Sequence, residues 1–130
     1  MALGTLCCSR GLLAVCWLFG CVQPRSAVHY SIDNQLEPCI EPIASQATWI
    51  RGLLVLELRY RARQPTSSCG CKSKGVAFAS YAETADGQRW LTNGSMTLAH
   101  NDLVSLPLTV DRDLLGSDPV VVSLACEPPR

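Results

Sequence analysis

Beyond residue 50 the chain is dominated by alternation of apolar and polar residues with a period of two. In LLVLELRYRAR (53–63), Leu54, Leu56, Leu58, Tyr60 and Ala62 fall on one side, and Glu57, Arg59, Arg61 and Arg63 on the other. That period belongs to a half-buried strand, whose successive side chains point to opposite faces of a sheet. GVAFASYAE (75–83) repeats it, with Val76, Phe78 and Ser80 opposed to Ala77, Ala79 and Tyr81. LVSLPLTV (103–110) sets Val104, Leu106, Leu108 and Val110 on one side, and VVVSLACE (120–127) does the same with Val120, Val122, Leu124 and Cys126. Pro107 has no amide hydrogen for a ladder, so its strand is expected at an edge or with a bulge.

Turn formers punctuate these runs. QPTSS (64–68) interrupts the pattern, Asp86-Gly87 and Asn93-Gly94 are hairpin dipeptides suited to a type I′ turn, and Asn101-Asp102 reads as a further turn. DRDLLGSDP (111–119) reads as a polar corner, and helical spacing is weak past residue 30. About seven short strands with turn signals every ten residues or so predict an all-β fold, an antiparallel β-sandwich of immunoglobulin-like topology, with a small β-barrel as the alternative.

The N-terminus has another character. One positive charge, Arg10, precedes the apolar run GLLAVCWLFG (11–20), which is too short to span a bilayer and suits the core of a signal peptide. In LFGC, Leu18 stands at −3, Gly20 at −1 and Cys21 at +1, the order of a bacterial lipobox, with Phe19 departing from the commonest pattern. The expected division is a signal peptide over 1–20, a tether over 21–36 and a β-sandwich domain over 37–130, with lipid on Cys21. Cleavage after Ala27 and an uncleaved anchor are the alternatives.

Charge removes one class of function. Lys and Arg together number 11, as do Asp and Glu, so no net field draws in nucleic acid or an anionic membrane. Eight cysteines in 130 residues point to an oxidising compartment. After cleavage Cys39, Cys69, Cys71 and Cys126 remain. If Cys69 and Cys71 lay in an extended strand, their Cα atoms would stand roughly 6.5–7 Å apart, at the limit for a relaxed bridge. They are therefore expected to reach different partners, one taking Cys39 and the other Cys126. Chain entropy gives such bridges about 4 kcal/mol each. The competing chemistry is a copper or zinc site made by Cys69 and Cys71 with His29 and His100. A count of free thiols separates the two. A Cys-x-x-Cys redox motif is absent.

Arg59, Arg61, Arg63, Lys72 and Lys74 form a candidate anion-binding cluster if their two segments pair, suited to a phosphate, a sugar acid or an anionic lipid head; the alternative is a solvated sheet face. Asp111, Asp113 and Asp118 offer oxygen ligands for calcium, or simply an acidic corner. Trp49 and Trp90 are expected in the core, or as a sugar-stacking platform if exposed. No Gly-x-Ser-x-Gly, HExxH or phosphate loop occurs, so neither catalysis nor a cofactor is expected.

LFGC, CGCKS and VVVSLACEP, over residues 11–130, resemble small bacterial periplasmic families of uncharacterised function. The resemblance implies compartment and fold, and transfers no active site. The functional expectation is a non-enzymatic accessory or interaction module of the cell envelope, with a protein partner and membrane attachment by lipid only.

Overall fold

The computed structural model describes residues 28–99 and 101–128. Among them the chain forms β1 (Tyr30–Asn34), β2 (Ile40–Ile50), β3 (Leu53–Ala62), β4 (Gly75–Thr84), β5 (Gly87–Thr97), β6 (Asn101–Thr109) and β7 (Val120–Cys126). A 3-10 turn, Thr66–Cys69, lies between β3 and β4, and a single helical turn, α1 (Arg112–Leu115), lies between β6 and β7. One sheet has the order β1-β7-β4-β5 and the other β2-β3-β6. The pairings are antiparallel except β1 with β7, which is parallel.

The alternation sets the layers. Leu54, Leu56, Leu58 and Tyr60 of β3, Val76, Phe78 and Ala82 of β4, and Val120, Val122 and Leu124 of β7 are buried in one core between the sheets. Each fully buried aliphatic side chain contributes roughly 1.5–3 kcal/mol relative to exposure. Glu57, Arg59 and Arg61 are exposed on the far side of β3. Ser80, fully buried among the apolar residues of β4, donates its hydroxyl to the Leu108 carbonyl at 2.6 Å and so joins the two sheets. Pro107 sits on β6, an edge strand, beside a register shift at Leu54/Val55.

The sheets do not close, which removes the barrel alternative. The strand order also departs from the constant-type immunoglobulin arrangement, in which the first, second, fourth and fifth strands share a sheet. Here both hairpins, β2–β3 and β4–β5, stay within single sheets. β1 begins inside the stretch read as a tether, so ordered structure starts before residue 37. No described helix is long and apolar enough to cross a membrane.

Several local expectations are corrected. Asn93-Gly94 is no turn: it lies within β5, and the Phe78 ring, cross-strand from Gly94, occupies the space a side chain would need. A Cβ at residue 94 would stand 2.6 Å from Phe78 Cε1. A hairpin forms at Asp86-Gly87, but its central residues are Ala85 and Asp86, neither with positive φ, and Gly87, at φ 115°, already pairs with Thr84 as the first residue of β5, so the turn is not type I′. Both-positive dihedrals occur instead at Arg51 (50°) and Gly52 (82°), which join β2 to β3. Asn101-Asp102 opens β6 rather than turning. Val110 is 79% exposed because β6 ends at Thr109 and the chain then turns into α1. Trp90 is 57% exposed, not in the core. A register shift at Ser80/Tyr81 pairs it with outward-facing Tyr81, and a one-residue shift moves a side chain to the other face. Trp49 is half-buried against the core, with the Arg112 guanidinium 4.6 Å from its ring centroid.

Candidate functional site

Beyond β3, Pro65 fixes an extended backbone and the chain tightens into the 3-10 turn Thr66–Cys69. Gly70 follows with φ 82° in the left-handed region, which costs a residue without a Cβ nothing. Cys69 and Cys71 therefore do not lie in one extended strand. The left-handed residue between them separates their directions. Cys39 joins Cys69 with a Cα–Cα distance of 6.2 Å, and Cys71 joins Cys126 at 5.2 Å. Cys39 precedes β2 of one sheet and Cys126 ends β7 of the other. One short loop thus ties both sheets together at a single pole.

The loop is held further by side chains. Thr66, buried, donates its hydroxyl to the Ser73 carbonyl at 2.8 Å. Ser73 Oγ accepts from the Gly75 amide at 3.1 Å and donates to Glu127 Oε2 at 3.2 Å. On the other side, the Ala99 amide donates to the Tyr60 hydroxyl at 3.2 Å and fixes the segment that leaves β5. Between these walls lies a groove of about 520 Å³ with a mostly apolar lining, including Ala62, Pro65, Cys71 and Leu98. Arg63, Lys72 and Lys74 line it too.

The basic cluster expected from the sequence is therefore divided. β3 and β4 belong to different sheets and do not pair, so Arg59 and Arg61 stay on the outer face of their sheet. Arg61 and Arg63 both contact Glu41 of β2, at 3.7 Å and 2.7 Å, a single carboxylate that offsets one of their two charges. Lys72 and Lys74 have no carboxylate at ion-pair distance among the described residues. Nothing in the sequence signalled Glu41 as the counter-charge or Leu98 as a wall, because strand pairing brings both there.

The other candidates lie elsewhere. His29 is exposed at the opposite pole, where its carbonyl accepts the Val120 amide. The length of β7 separates it from Cys126 by about 20 Å. The sulfurs of Cys69 and Cys71 are bonded to carbon-borne sulfur rather than available to metal. Among the described residues no three His, Cys, Asp or Glu side chains gather as a metal site. Asp111 Oδ1 accepts the Leu114 amide at 2.8 Å as the cap of α1, and Asp118 lies 3.7 Å from Arg89. His100, Cys21, the signal segment and the first residues of the tether lie outside the described residues.

Two disulfides in so small a domain indicate folding in an oxidising, extracytoplasmic environment. No curated protein and no solved structure matches the chain. A family model described as "Uncharacterized protein conserved in bacteria (DUF2195)" matches residues 12–129, and the chain belongs to that family.

Proposed function

We propose that the protein is a non-enzymatic accessory or interaction module of the bacterial cell envelope, working in the periplasm under a lipid tether on Cys21 and joined to a partner protein by strand addition at β2. The bacterial family and the two disulfides support the compartment. The observation that carries the partner reading is the contrast among the sheet edges. β1, β5, β2 and β6 border the two sheets. β1 has only 5 residues and carries Asp33, β6 carries Pro107 and exposed Asp102, and β5 carries Arg89 and the strand-weakening Gly94. β2 carries Glu41 and Pro42 at its start, beside a register shift at Pro42/Ala44, but from Ile43 to Ile50 it has neither charge nor proline. Residues 43–46 are exposed on successive faces, and Ile43 and Ile50 are 50% and 47% exposed. An uncharged edge of that length offers unpaired N–H and C=O groups to an extended segment of another chain.

The test uses lysine on the edge. Ala44→Lys with Gln46→Lys keeps the fold, since both sites are exposed, and should reduce recovery of the partner from envelope extract at least about tenfold. Lysine at exposed Ser105 of β6 should leave recovery unchanged. In the complex, those amides of 43–50 that point away from β3 should gain protection from hydrogen exchange. Protection confined to another edge would refute strand addition at β2.

A further inference from the structure

The groove at the disulfide pole is a second surface with chemistry of its own. It is ligand-sized: about 520 Å³ falls within the 300–1,000 Å³ typical of small-molecule sites. Its walls are fixed before any ligand arrives. Cys71, in the lining, is bonded to Cys126, and the turn beside it is bonded through Cys69 to Cys39. Thr66 and Ser73 pin the segment that carries the lysines. Such pre-organisation lowers the entropy lost on binding.

Charge is distributed unevenly across the groove. Arg63 is engaged by Glu41, which it shares with Arg61, so its guanidinium is held at that carboxylate. Lys72 and Lys74, both exposed, leave two positive charges without a carboxylate partner among the described residues. Next to them lie Ala62, Pro65, Leu98 and the Cys71 disulfide, an apolar strip. A purely inorganic anion would leave that strip uncovered, and a neutral lipid would leave both ammonium groups unmatched. We infer that the groove binds an amphiphilic carboxylate, a free acyl acid whose head meets Lys72 and Lys74 and whose apolar body lies along Leu98 and the disulfide. Lysine suits this role as a mobile point charge that accepts a single carboxylate without a fixed fork geometry. The inference does not rest on strand addition at β2 and survives or fails apart from it.

The experiment titrates the disulfide-intact protein with decanoate, decanol, inorganic phosphate and anionic phospholipid vesicles, read by calorimetry and amide chemical shifts. Decanoate should bind at one saturable site, at least about fivefold more tightly than decanol or phosphate, and should shift the amides of residues 63–74 and 98–99. Lys72→Ala with Lys74→Ala should weaken decanoate at least about fivefold and leave decanol unchanged, and added salt should do the same. Leu98→Ser should weaken both amphiphiles alike. Thermal unfolding of the lysine variant should match that of the unaltered protein, because neither side chain has an ion pair to lose among the described residues. Equal affinity for decanol would overturn the role of the charge. Phosphate binding as tightly as decanoate would overturn the role of the apolar strip. Binding to vesicles but not to free decanoate would make the site a membrane contact and overturn the inference.

Discussion

The two poles of the molecule are closed by different means. At the pole where β3 and β7 end, two covalent bridges join both sheets to the loop 65–71. At the opposite pole, where β7 begins, closure depends on weak contacts around one helical turn. Leu115 is buried beneath α1, Asp111 caps it, Arg112 lies over Trp49, and Arg89 contacts both Asp118 and the Leu114 carbonyl. The comparison teaches that the sandwich is closed covalently at only one of these two ends. Its central strands supply a continuous core, and the loop 63–74, which makes few sheet contacts of its own, is the segment that covalent bonding holds in place.

The largest break comes from removing a bridge. The loops closed by the disulfides span 30 and 55 residues and do not overlap in sequence, so their contributions should be nearly independent. Chain entropy assigns each about 4 kcal/mol, a large part of the roughly 5–15 kcal/mol net stability of a domain this size. Replacing Cys71 and Cys126 together by Ala should lower stability by about that amount in chemical denaturation, and Cys39 with Cys69 by slightly less. Losing only one member of a bridge should do further harm through thiol exchange with the remaining pair. A loss below about 1 kcal/mol would show that the non-covalent contacts of the loop suffice, and the two poles would then be alike.

The clamped pole was legible in advance because its chemistry is written in residue type. Four cysteines, two of them separated by one residue, restrict the pairing to few solutions. The strands β3, β4 and β7 were equally legible, since Leu54 to Tyr60, Val76 to Phe78 and Val120 to Leu124 keep a strict period of two where one face is buried. What was missed depends on pairing. Trp90 turns outward because of a one-residue register shift, and Gly94 stays in a strand because Phe78 needs the room above it. Neither signal is local. The basic groove was half legible: Arg63, Lys72 and Lys74 do meet, but the premise of paired segments was wrong, and the division of the cluster depends on Glu41 from a distant strand.

A middle-sized break is available at the unclamped pole. Leu115 is 2% exposed at the end of a single helical turn that has too few backbone hydrogen bonds to hold itself. Leu115→Ala should cost about 3 kcal/mol, the usual range for a buried leucine being 2–5. A cost near 1 kcal/mol or less would mean that α1 collapses over the gap, and this pole would be looser than its burial suggests.

The smallest break sharpens the comparison most. Asp111 accepts the Leu114 amide at 2.8 Å, and Asp111→Ala should cost about 1 kcal/mol, the typical value of a helix cap. Because Asp111 and the Cys71–Cys126 bridge stand at opposite ends of β7, with no shared partners, the two changes should add within about 0.5 kcal/mol. The double variant, followed by the denaturation midpoint at constant slope, measures that sum. If the cap became more costly once the bridge was gone, strain would be passing along β7 from one pole to the other, and the covalent clamp would be bracing α1 as well as its own loop. Additivity would instead locate each closure at its own pole and leave the central strands as the common rigid element between them.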